Sequence, residues 1–124
     1  MGVSNRGVAA ILRAEHLALI VAGVVVYLAN GGMAILLLPL LLAPDLSMAG
    51  YLGGPRLGAV TYNAVHNLVL ALAGLGIGWW FDVGWLVLLG AVLIVHVGGD
   101  RALGYGLKLP TDFRDTHLGR IGRP

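Results

Sequence analysis

Four runs of predominantly hydrophobic residues, 11–29, 31–43, 59–78 and 83–103, are separated by short segments that carry most of the polar side chains. Crossing about 30 Å of hydrocarbon takes roughly 17–25 helical residues, and the first, third and fourth runs meet that length. The second is shorter and contains Pro39. It spans only by thinning the bilayer locally or by continuing past Pro44 toward Met48. The pattern predicts an all-α integral membrane four-helix bundle, one transmembrane domain over 1–124 with a short polar tail over 108–124. Asn30-Gly31-Gly32 reads as a tight turn, because glycine adopts positive φ without steric cost. Pro44 ends the second helix or opens a new turn, and 45–56 reads as the longest irregular stretch inside the bundle.

Charge adds direction to these spans. If each run crosses, the turns 30–32 and 79–84 share one side and contain neither Lys nor Arg. Arg6, Arg13, Arg56, Arg101, Lys108, Arg114, Arg120 and Arg123 all fall on the other side. Basic residues are retained in the cytoplasm during insertion, so both termini are expected there. Trp79, Trp80 and Trp85 bracket the second outer turn, as an aromatic belt does. Arg6 and Arg13 precede the first run as they would in a signal peptide. Tyr27, however, stands three residues before a cut after Ala29, where a small residue is needed, and the run reads as a retained helix.

Composition excludes several function classes. With 58% hydrophobic and 11% charged residues in 124, too few charges remain to cover a soluble surface. There is no cysteine, so disulfides and thiolate metal ligands are excluded. The net charge of +2 is accounted for by topology beside anionic headgroups. Arg120-Ile121-Gly122-Arg123 is too sparse for a phosphate track, so membrane lipid rather than nucleic acid is the expected partner. Self-association into a homo-oligomer stays open. Gly74-Leu-Gly-Ile-Gly78 matches a small-residue packing face.

The chemistry-bearing residues gather on the basic side. Following the helices in order places Glu15, Asp45, Tyr62, His66, His96, Asp100 and His117 in or beside one leaflet, with Asp82 alone opposite. His96 and Asp100 are four apart and project from one helix face; Tyr62 and His66 repeat the spacing. Ionisable groups at membrane depth are costly unless paired and usually mark a site. Nitrogen and oxygen donors of this kind suit a divalent ion, zinc or manganese. The candidate metal ligands are Asp45, His66, His96, Asp100 and His117. Glu15, Asp45, His66 and Tyr62 are the candidate catalytic groups, and Arg56, Arg101 and Tyr105 the candidate substrate-binding ones. Plainer readings stand beside these. His96 and Asp100 can pair with Arg101 or Tyr62, Glu15 with Arg13 or Arg56, and Asp45 can cap a turn. His16 points to a different face, toward the interface.

The segment 44–56, PDLSMAGYLGGPR, with Tyr62, Asn63 and His66, resembles a known family. His96-x-x-x-Asp100-Arg101, the stretch Leu103-Gly104-Tyr105-Gly106-Leu107-Lys108, and Thr116-His117-Leu118-Gly119 extend the match. The family comprises short bacterial membrane proteins of unknown function, which implies a multi-pass protein of the bacterial inner (plasma) membrane. Pro44-Asp45 and Thr116-His117 are also similar to two motifs of inner-membrane metal-dependent hydrolases. Those carry His-Arg-Gly before the Thr-His, where this chain has Phe113-Arg114-Asp115.

The expectation is a membrane protein with a cytoplasm-facing divalent-metal site that activates water against a phosphoester or acyl bond of a lipid-like substrate. A small transporter or channel subunit relaying protons is the alternative, although the almost wholly apolar outer half disfavours a pore. A further alternative is a haem- or quinone-associated subunit with His66 and His96 as axial ligands.

Overall fold

The computed structural model describes residues 5–122. The order is α1 (Arg6–Ala29), α2 (Ala34–Leu42), a 3-10 helix (Ala43–Gly53), α3 (Pro55–Val65), α4 (Leu68–Trp80) and α5 (Gly84–Leu103). A two-residue hairpin, β1 (Asp115–Thr116) and β2 (Gly119–Arg120), closes the tail. Taken pairwise where helices abut, four helical spans are long and apolar enough to cross a membrane: Arg6–Ala29, Ala34–Gly53, Pro55–Trp80 and Gly84–Leu103.

Two boundaries differ from the sequence reading. The stretch after Pro44 is not irregular: it continues as the 3-10 helix and gives the short second span its length. Proline lacks an N–H, but at the first turn of a helix none is needed, so Pro44 starts the new winding rather than ending the old. The third span starts at Pro55 and is broken at His66 and Asn67. The tail also turns back, with Lys108 bridging to Thr116 beside the hairpin.

α5 is the central element, packed against α1 on one side and α4 on the other. Its buried residues run from Val87 to Gly98, whereas the other spans bury few. Gly90 explains the close α4 crossing. A Cβ there would lie 2.5 Å from the Leu75 amide nitrogen, so only glycine lets the two backbones meet. From α4, Gly74 and Gly78 face α5, while Gly76 faces open space. Gly78 lies against Val87, Gly23 against Ala91 and Val95, and Gly98 against His16 and Leu19. Both neighbours are therefore antiparallel to α5, and the turns 30–33 and 81–83 share one end of the bundle. Arg13 and Arg101 lie at the other end; Arg123 is outside the described residues.

Tyr27 anchors the first turn. It is fully buried against Ala91 and Val92, and its hydroxyl donates to the Met33 carbonyl at 2.8 Å. Elsewhere the exterior is apolar: Ile35, Leu38, Val69, Trp79 and Trp80 are all well exposed. Such a surface suits hydrocarbon rather than water.

Candidate metal centre

Asp45 stands in the first turn of the 3-10 helix, His66 at the end of α3, and His96 and Asp100 one turn apart on α5. The 3-10 helix seats directly on α3. Thr61 donates to the Ser47 carbonyl at 2.8 Å, and the absence of a Cβ at Gly58 makes room for the Tyr51 ring. That packing carries Asp45 to His66.

The donor atoms of the four side chains all lie within 4.8 Å of one another. His66 Nε2 is 3.0 Å from His96 Nε2, 3.2 Å from Asp45 Oδ1 and 3.9 Å from Asp100 Oδ2. His96 Nε2 is 3.3 Å from Asp45 Oδ1 and 3.4 Å from Asp100 Oδ2. A tetrahedral ion with bonds of about 2.0–2.2 Å to nitrogen and oxygen sets its ligands about 3.3–3.6 Å apart. The observed separations bracket that range.

The tautomers of both histidines follow from their other nitrogens. His66 Nδ1 lies 2.8 Å from the Tyr62 carbonyl, and His96 Nδ1 lies 2.5 Å from the Leu41 carbonyl. A carbonyl only accepts, so both Nδ1 atoms carry hydrogen, and each ring in its neutral form presents a bare Nε2 lone pair to the centre. Two lone pairs and two carboxylates thus converge with no donor among them. This is how metal-bound imidazoles are usually held, with the outer N–H fixed by a carbonyl. Tyr62 adds a further constraint: its ring stacks on His66 at 3.7 Å and 7°, and its hydroxyl donates to Asp100 Oδ2 at 3.1 Å.

The break after His66 is held by Asn67. Asn67 donates to the Asn63 and Ala64 carbonyls at 2.8 and 3.1 Å, and its Oδ1 accepts from Leu70 N–H at 2.9 Å. One side chain therefore caps the end of α3 and the start of α4. The freed His66 carbonyl accepts from Arg101 Nη2 at 3.2 Å. An unbroken helix would carry His66 past the cluster within its own ladder of bonds.

Asp45, Tyr62 and Asp100 form the floor of an open pocket of about 360 Å³ walled by Met48, Tyr105, Lys108, Phe113 and Ile121. Asp45 is its most exposed ligand, with 39% of the side chain accessible. Lys108 is buried, and its ammonium sits 5.1 Å from the Tyr62 ring centre and 4.1 Å from that of Phe113. Burial pushes this ammonium below the ordinary lysine range, and the Asp100 charge opposes that shift.

The structure joins Asp45, Tyr62, His66, His96 and Asp100 of the sequence candidates and sets Tyr105 at the pocket wall. It does not bring in the others. Glu15 and Arg56 are exposed on α1 and α3, away from the cluster. Arg101 lies beside the cluster but is spent on the His66 carbonyl. His117 lies outside the cluster. Its Nδ1 accepts from Leu107 N–H at 2.8 Å, and its Nε2 lies 3.2 Å from Arg101 Nη1. The haem alternative does not fit either, because a macrocycle cannot pass between two Nε2 atoms 3.0 Å apart. Sequence reasoning missed Lys108, Asn63 and the capping role of Asn67. The Asn63–Asn67 spacing was the available signal, being one helical turn and in step with Tyr62–His66.

A family model described as "Domain of unknown function (DUF4260)" matches residues 9–121. The chain belongs to this family. No curated protein and no solved structure matches it. The matched range contains all four residues of the cluster, Lys108 and the hairpin.

Proposed function

We propose that this is a multi-pass membrane metalloprotein in which Asp45, His66, His96 and Asp100 hold one divalent ion, zinc or manganese, for hydrolysis of an ester-type bond in a lipid-like substrate. The observation that carries the reading is the facing pair of Nε2 lone pairs, flanked by two carboxylates. Uncompensated, this arrangement concentrates negative charge in a poorly solvated site. A dication neutralises both carboxylates and engages both Nε2 lone pairs.

Bound there, the metal would supply Lewis acidity toward water and the scissile group, with Asp45, the most exposed of the four donors, the one able to yield its place. The protein's own contribution is positional. Asp45 faces the pocket and, on yielding its place at the ion, would receive the proton of the attacking water. Tyr62 holds Asp100 on its other side. The apolar walls from Met48, Phe113 and Ile121 shed water from an acyl-type substituent. Both termini are read as cytoplasmic in a bacterial inner membrane, since the turns at the opposite end lack Lys and Arg.

A proton relay is the second reading. It is favoured by one observation, that 3.0 Å between nitrogens is also the length of an N–H⁺···N bond. Metal analysis of the protein purified in detergent separates the two. The expected result is about one divalent ion per chain, lost in His66→Ala and His96→Ala, with chelator-sensitive ester hydrolysis by the intact protein. Folded protein that stays metal-free after incubation with zinc and manganese would overturn the metal centre.

A further inference from the structure

Lys108 is the only lysine in the chain, and it is 4% exposed. Among the described residues its ammonium makes no hydrogen bond and no ion pair; its contacts are the faces of Tyr62 and Phe113. Those faces take up part of a cation's field but accept none of its three N–H bonds. The position is nevertheless tightly built. Asn63 clamps the Lys108 backbone with both ends of its amide, Nδ2 donating to the carbonyl at 2.8 Å and Oδ1 accepting from the N–H at 2.7 Å. A bridge to Thr116 secures it from the other side. Phe113 is itself fixed edge-on against Tyr51 at 5.2 Å. Two separate parts of the fold thus hold a buried cation at the wall of the pocket whose floor is Asp45 and Asp100.

A structural role would give the ammonium a carboxylate partner. Asp45 and Asp100 share the pocket, yet neither lies within ion-pair distance of it, and both face the histidines instead. With a dication neutralising that floor, Lys108 is the unspent positive charge of the pocket. We infer that Lys108 is an anion-binding residue, and that the pocket takes a phosphate-type oxyanion, either as the headgroup of an amphiphile or as free phosphate. The phosphate would bridge Lys108 and the metal side of the pocket, and Met48, Phe113 and Ile121 would face an attached chain. This inference rests on the metal-centre reading, since without a cation Asp45 and Asp100 would repel an anion.

The test uses the full chain in detergent, with metal content and ligand binding measured on the same sample. Dodecyl phosphate, inorganic phosphate and uncharged dodecyl maltoside are titrated by calorimetry into wild type and Lys108→Met, which keeps the buried apolar stem. Dodecyl phosphate should bind wild type and lose affinity in Lys108→Met on the order of 10- to 100-fold, as expected for a charge-assisted hydrogen bond. Metal content should not change. Inorganic phosphate competing at similar strength identifies a soluble ligand, and competition by the amphiphile alone identifies a headgroup. Metal-loaded wild type that binds dodecyl phosphate no better than the maltoside overturns the anion site, whether or not Lys108→Met folds. So does equal binding by a metal-loaded variant. Wild type found folded but metal-free overturns the metal centre instead, a result read from metal content alone.

Discussion

Replacing His96 by alanine removes one of four donors from the cluster and leaves the rest of α5 intact. Apparent binding free energies of structural zinc sites are about 10–16 kcal/mol, so an even share is about 2.5–4 kcal/mol per ligand, or roughly a hundredfold to a thousandfold in affinity. At free metal about 100 times the wild-type Kd, the bound ion stabilises the fold by about 2.7 kcal/mol. A hundredfold weaker site at the same concentration retains only about 0.4 kcal/mol of that. The difference corresponds to a melting shift on the order of 10 °C for a chain of this length. His96 is buried, and truncating it also leaves a cavity whose cost appears with or without metal. The informative quantity is therefore the difference between zinc-loaded and chelated melting temperatures, followed by fluorescence of Trp79, Trp80 and Trp85. Wild type should show the full difference, His96→Ala little of it, and Glu15→Ala, exposed and away from the cluster, all of it. If zinc and chelator give wild type the same melting temperature, or if His96→Ala keeps the wild-type difference, the four-donor argument fails.

Asn67→Ala removes the cap from both sides of the helix break and should cost about 1–2 kcal/mol in thermal or denaturant melting, with weakened metal retention because His66 loses its support. Unchanged stability would mean the break is held by packing alone. Tyr62→Phe removes the hydroxyl bond to Asp100 while keeping the ring on His66, and should lower metal affinity about 10- to 100-fold in a competition titration with a chelating dye. Gly90→Ala drives a methyl group into the α4 backbone and should destabilise by at least about 1–3 kcal/mol, whereas Gly76→Ala faces open space and should be neutral. Comparable melting of the two variants would contradict the crossing described above. Because the chain has no cysteine, single cysteines at Gly31 and at Arg114 report sidedness directly. Impermeant maleimide should label the cysteine at 31 in intact cells and the one at 114 only once the membrane is opened, and labelling of both in intact cells would refute the topology.

Much of the cluster was legible along the chain because helix direction and the one-turn spacings of Tyr62–His66 and His96–Asp100 depend on local geometry. The candidates that stand outside the cluster do so for one reason. Glu15, Arg56 and His117 belong to the right end of the bundle, but an end is a disc, and a side chain's place on it is set by how helices rotate against each other. Glu15 faces outward because α1 presents Gly23 and the His16 backbone to α5 instead. His117 was drawn toward the centre by its chemistry alone, yet the tail folds so that the Leu107 amide takes its Nδ1.

Hydropathy and charge along the chain were sufficient for four apolar spans and the two Lys- and Arg-free turns, because length and apolarity are properties each segment has on its own. Which residues share a site was decided only by the tertiary structure. Pro44 continues the second span as a 3-10 helix, the break at His66 and Asn67 re-aims an imidazole, and a tail that looked like a polar appendage returns to bury Lys108 above Asp45 and Asp100. The placement of each depends on contacts between residues from 14 to 45 positions apart, such as Ser47 with Thr61, His66 with Arg101 and Asn63 with Lys108. Periodicity carries no information over such distances, since the backbone between can take many paths and only packing selects one.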